Sequence, residues 1–86
     1  MNSIKLGTEL ESVLQLWNEL LPFEPPDKFA VNLWLRQHGV ETALYSIEQA
    51  AIKRAKGGEM DREFAIRLCG AICCSVTRAK KHQETT

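Results

Sequence analysis

Eighty-six residues suffice for one domain, and a chain of that size buries only roughly 60–65% of its unfolded surface, which leaves little room for an enclosed active site. Apolar residues at 44% and charged residues at 26% exclude a disordered tail. The formal net charge is zero but unevenly divided, with three basic and six acidic residues from Met1 to Ala43 and eight basic and five acidic from Leu44 to Thr86.

Read in chain order, four amphipathic stretches separated by breakers predict an all-α, compact bundle of about four helices within a single domain, residues 1–86. The first covers about 8–21. Thr8 and Glu11 have the spacing of a capping box, and Leu10, Val13, Leu14, Trp17, Leu20 and Leu21 recur on one face. Pro22 stops it, and Pro25-Pro26 keeps the following linker extended. The second covers about 27–38, with Asp27 as N-cap and Gly39 where a helix ends in the left-handed conformation. Its apolar residues Phe29, Val31, Leu33, Trp34 and Leu35 spread around the helix, the pattern of a central element.

The third helix covers about 40–56 and ends at Gly57-Gly58. Val40, Ala43, Leu44, Ile47, Ala51 and Ala55 form its expected buried stripe, with Thr42, Ser46, Gln49, Lys53 and Lys56 outward. The fourth covers about 61–81, capped by Asp61. Its period places Phe64, Leu68, Ile72, Ala65, Val76 and Cys69 on the core side and Arg67, Gly70, Cys74, Thr77, Arg78 and Lys81 on the polar side. Residues 82–86 read as a flexible tail. No stretch alternates with period two, so no strand is expected. Leu14, Trp17, Trp34, Ile47, Phe64, Leu68 and Ile72 are the expected core.

Enzymatic chemistry finds no footing. Ser12, Ser46 and Ser75 lack His–Asp support, and no phosphate-binding glycine loop or paired-carboxylate spacing occurs. His38 before Gly39 reads as a helix-terminal residue facing the dipole. Cys69, Cys73 and Cys74 are an odd, clustered set, a poor disulfide framework that suits a reducing cytoplasm. Cys69 and Cys73 read as buried apolar cysteines rather than metal ligands, which would need about four convergent donors. Cys74 reads as a surface thiol near Arg67 and Arg78. No catalytic residue, metal or cofactor is expected. No leader is apparent, and no run approaches the roughly 20 apolar residues that cross a bilayer.

The basic residues are the more informative signal. Lys53, Arg54 and Lys56 end the third helix, and Arg67, Arg78, Lys80 and Lys81 mark the fourth. Clustered cations neutralise phosphates and release counterions, giving salt-dependent binding without base reading. The turn at Gly39 has the brevity of a helix-turn-helix, but Leu35 occupies the position where a small residue is usual, so a plain helical hairpin is expected. Self-association is one route to further burial, so a homodimer is among the expected states.

From about Leu21 to Lys81 the chain resembles the C-terminal helical domain of DnaD-type primosome proteins and related phage replication organisers. The residues carrying the likeness are the run VNLWLRQHGVETALYSIEQAAIKRA, the polar turn after it, and the last helix AIRLCGAICCSVTRAKK with its basic end. Trp34-Leu35, Gly39, the Leu44–Ile47–Ala51 stripe and Leu68–Ile72–Val76 fit that outline. The tryptophan that often closes the family's last-helix motif is missing. The resemblance implies a non-enzymatic, DNA-associated role in bacterial, phage or plasmid replication. The candidate contacts are Lys53, Arg54, Arg67, Arg78, Lys80 and Lys81. A small adaptor or inhibitor that docks a helix face on a protein partner is the other expectation.

Overall fold

The computed structural model describes residues 2–84, with side chains described for residues 8–80. Four helices follow in order: α1 (Asn2–Leu20), α2 (Lys28–His38), α3 (Val40–Ala55) and α4 (Arg62–Glu84). They form an all-α bundle without strands among the described residues, a slab with extents of 36 × 35 × 16 Å. α2 packs against each of the other three helices, and α3 and α4 form the most extensive pair.

The helix boundaries follow local chemistry, with corrections at both ends of the chain. Thr8 lies inside α1 and its carbonyl accepts the Ser12 hydroxyl at 3.0 Å, so the expected Thr8–Glu11 capping box does not form; an N-cap must sit outside helical geometry. Residues 2–7 contain no proline to stop the helix earlier. At the other end, α4 continues to Glu84 through part of the expected tail, because Lys81 to Glu84 contains neither glycine nor proline. Residues 85 and 86 of that tail lie outside the described residues.

Asp27 occupies the N-cap of α2 without a side-chain bond. Asp61 caps α4 in the expected manner, its Oδ1 accepting the Phe64 amide at 2.8 Å. Between α2 and α3 a single residue turns the chain: Gly39 has φ 88° and ψ 162°, a region essentially reserved for glycine. This is not the left-handed helical conformation expected there. Its amide donates to Leu35 and its carbonyl accepts from Ala43, so one residue ends one helix and starts the next.

The α1–α2 linker is pinned from three sides. Trp17 Nε1 donates to the Phe23 carbonyl at 2.9 Å. Arg62 donates from Nε to Glu24 at 3.1 Å and from Nη2 to Pro25 at 3.0 Å, both through the backbone carbonyls. The Arg54 guanidinium stands 5.9 Å from the centre of the Phe23 ring. Orphan carbonyls of an extended, proline-containing segment thus find donors.

Val13, Trp17 and Leu21 of the first stretch, Val31, Trp34 and Leu35 of α2, and Ala43, Ile47 and Ala50 of α3 make the core, with Ala65 and Cys69 from α4. Of the expected core, Trp17, Trp34 and Ile47 are buried; Leu14, Leu68 and Ile72 are half-buried. Phe64 is 43% exposed, a correction with a definite cause. α4 is turned by roughly a quarter revolution from the orientation its largest apolar residues suggest. Ala65 and Cys69, expected on the core side, are buried there together with Cys73, also expected to be buried. Thr42 and Ser46, expected outward on α3, are buried against them, which lets the two helices pack closely. Gly70 and Thr77 likewise face neighbours rather than solvent alone. A Cβ built on Gly70 would stand 4.0 Å from Trp34 Nε1, and Thr77 Oγ1 lies 2.6 Å from His38 Nδ1. α2 is less enclosed than its composition suggests, with Phe29 76% exposed and Leu33 42% exposed.

Candidate nucleic-acid interface

The basic residues sit where helix ends put them. Lys53 and Arg54 occupy the last turn of α3, and Arg78 and Lys80 the C-terminal part of α4. In the last turn of α3, Lys53 and Arg54 complement the partial negative charge of the unpaired carbonyls. Lys53, Arg54, Arg67, Arg78 and Lys80 are all exposed. Lys81 belongs to α4, and its side chain lies outside the described residues.

The chain does not gather these cations at one place. Cys69 meets Ser46 and Cys73 meets Thr42, so α3 and α4 run antiparallel. Lys53 and Arg54 therefore lie beside the start of α4, about 24 Å along the helix axis from Arg78 at 1.5 Å per residue. Arg67 and Arg78 point to nearly the same side of α4 and are about 16 Å apart along it. Lys80 stands at the far end, beside Glu41, Thr42, Tyr45 and Val76. The result is two basic groups on one antiparallel hairpin, bridged in part by Arg67.

His38, Cys69 and Cys73 are committed to structure. His38 is half-buried and engaged with Thr77. Burial pushes the Cys69 thiol up to about 11 and raises that of Cys73, so both are protonated at neutral pH and pack as small apolar residues. Cys74 is free and exposed. Among the described residues, no three His, Cys, Asp or Glu side chains come together to hold a metal ion. No described helix is long and apolar enough to cross a membrane.

A surface feature that residue type alone did not point to is an apolar strip across α3 and α4. Tyr45 is 46% exposed, Ile52 47% and Phe64 43%. Tyr45 and Gln49 border a cleft with Ala71, Ile72, Ser75 and Val76. The signal that could have revealed it is the run of small residues on both helices, Thr42–Ser46–Ala50 and Ala65–Cys69–Cys73. Each recurs at intervals of four, marking the true contact stripe.

Fold and surface together define a four-helix all-α bundle with a divided basic surface and an open apolar strip. No family description, curated protein or solved structure matches the chain.

Proposed function

We propose that this chain is a non-enzymatic, DNA-associated helical module linked to bacterial, phage or plasmid DNA replication. It contacts phosphates through Arg67, Arg78, Lys80 and Lys81 of α4 and through Lys53 and Arg54 of α3. The observation that carries this reading is the exposure of Lys53, Arg54, Arg67, Arg78 and Lys80 together. Exposed cations held on rigid helices can displace condensed counterions at little ordering cost. The resemblance to the DnaD-type C-terminal domain supports the same role.

The test is fluorescence anisotropy of labelled single- and double-stranded DNA at low and moderate salt. Binding should weaken steeply as salt rises. Reversing Arg67 and Arg78 to glutamate should weaken it uniformly across sequences and lower the salt slope by about 2. Unchanged affinity in that variant would remove the reading.

A second reading, a protein-docking adaptor, is favoured by α2. Phe29 is 76% exposed and Leu33, one turn later on the same face, is 42% exposed. An apolar pair at this spacing can anchor a helix face in a partner's groove. Nuclease-treated pull-down separates the two: a stoichiometric protein lost on changing Phe29 to serine supports docking, and recovery of nucleic acid alone speaks against it.

A further inference from the structure

α2 presents two unlike faces. Val31, Trp34 and Leu35 are buried against the rest of the bundle. Phe29, Asn32, Leu33 and Arg36 are all exposed, and at about 100° per residue they fall within an arc of about 100° on the opposite side. These four line a notch of about 130 Å³. An apolar cavity of about 150 Å³ holds a benzene molecule, so the notch has the size of one apolar side chain.

The charge on this face has one sign. α2 runs KFAVNLWLRQH and contains no carboxylate. Asp27 precedes it as N-cap, at the end remote from Arg36, and His38 is held by Thr77. Among the described residues, no hydrogen bond or ion pair engages the Arg36 guanidinium. Arg54, by contrast, stands over Phe23, and Arg62 is bound to linker carbonyls. Aromatic residues and arginine are the types that protein interfaces enrich, and a free guanidinium offers a fork of N–H donors that matches a carboxylate.

We infer that the outward face of α2 docks an acidic amphipathic segment of a partner protein. An apolar side chain of that segment enters the notch beside Phe29 and Leu33, and a carboxylate about one turn away accepts from Arg36. Leu33 and Arg36 are about 4.5 Å apart along the helix at 1.5 Å per residue, so apolar and acidic groups on one face of a partner helix meet both. A neutral or basic segment would cover Arg36 without pairing it, which is costly for a charge. A phosphate backbone is met by rows of cations, whereas this arc sets one guanidinium beside two apolar residues. The inference rests on the docking reading and gives that partner its chemistry.

Nuclear magnetic resonance on the isotope-labelled chain tests it with two synthetic peptides. One has leucines along one helical face with glutamates beside them, and the other has lysines in place of the glutamates. The glutamate peptide should shift the amide signals of Phe29 to Gln37 and bind about tenfold more tightly than the lysine peptide, or better, as a hydrogen bond between charged groups allows. Arg36→Glu should reverse that preference, and Phe29→Ser should weaken the binding of both peptides. Both variants should keep the helical circular dichroism spectrum, because both residues are exposed.

Equal affinity for the two peptides, shifts centred on Tyr45 instead of α2, or no binding of the glutamate peptide up to near-millimolar concentration overturns the inference. A short single-stranded DNA that shifts the same signals more strongly than the glutamate peptide assigns the face to nucleic acid and overturns it as well. The nuclease-treated pull-down keeps this inference apart from the docking reading: a protein lost with Phe29→Ser but kept with Arg36→Glu upholds docking and removes the acidic complement.

Discussion

The Cys69 thiol of α4 donates to the Ser46 carbonyl of α3 at 3.7 Å, and one turn further on Cys73 reaches Thr42 in the same way at 3.9 Å. Both acceptors already serve helical hydrogen bonding, so these contacts are supplementary and weak. Their importance is geometric. A thiol is small enough to sit on the backbone of the facing helix, and Ser46 bends its own hydroxyl back to the Ala43 carbonyl at 2.7 Å, leaving the seam free of unpaired polar groups. Larger residues on this seam would force the helices apart.

Thiol chemistry should therefore divide the three cysteines. Cys74 is exposed and Cys69 and Cys73 are buried, so a disulfide reagent at neutral pH should modify one thiol quickly and the other two only on unfolding. Replacing Cys73 by leucine should destabilise the fold by about 1–3 kcal/mol through overpacking, measured by urea unfolding. Rapid modification of all three native thiols would contradict the buried seam.

The same thiol carries a pH dependence. Burial raises Cys69 from 9.0 to about 11, so the folded state holds this proton more tightly than the unfolded state. The associated stability is fully present below the unfolded value and is lost as pH rises through about 9 to 11. Its magnitude is on the order of 3 kcal/mol at most. Unfolding curves at pH 8 and above pH 10 should fall further apart for the wild type than for Cys69→Ala, in which this group is missing while lysine and tyrosine titration remains.

Large apolar residues at helical spacing are legible as helices, and all four were, along with Pro22 as a stop, Asp61 as a cap and Gly39 as the α2–α3 turn. The burial of Ala65, Cys69 and Cys73 on α4 was legible too, but the exposure of Phe64 beside them was not. The burial argument ranks leucine, isoleucine and phenylalanine above alanine and cysteine, yet α3 offers Thr42, Ser46 and Ala50, which only small partners can approach closely. Orientation is set by the fit of two surfaces, and a single helix shows only one of them. The candidate cations were legible by type and exposure. Their separation into two groups followed from the antiparallel course of α3 and α4, a tertiary fact.

This reorientation is measurable as a contrast between two substitutions. Ile47 is fully buried in α3, so Ile47→Ala should cost about 2–5 kcal/mol. Phe64 is 43% exposed, and Phe64→Ala measured in dilute solution should cost about 1 kcal/mol or less. Equal losses at the two sites would show that α4 turns its large residues inward after all.

Any side chain at Gly39 should lower stability. Its φ of 88° with ψ of 162° is a conformation that L-residues populate at a cost on the order of 1–3 kcal/mol. A Cβ there would meet no atom within 4 Å, so the cost is in the backbone alone and should be similar for alanine and serine. Thermal unfolding of Gly39→Ala and Gly39→Ser checks this, and an unchanged midpoint would mean the α2–α3 turn relaxes to another conformation.

Gly70, which lies beside the core residue Trp34, should behave in the opposite way. It lies within α4, and its backbone needs no positive φ. An added Cβ would stand 4.0 Å from Trp34 Nε1, an ordinary contact that displaces nothing. Alanine in a helix interior is favoured over glycine by roughly 0.5–1 kcal/mol, so Gly70→Ala should raise stability by up to that amount. Urea unfolding of the variant decides the matter. A gain shows that the glycine's lack of a side chain is not needed for packing, and a loss above 1 kcal/mol would show that Trp34 approaches α4 more closely than 4.0 Å allows.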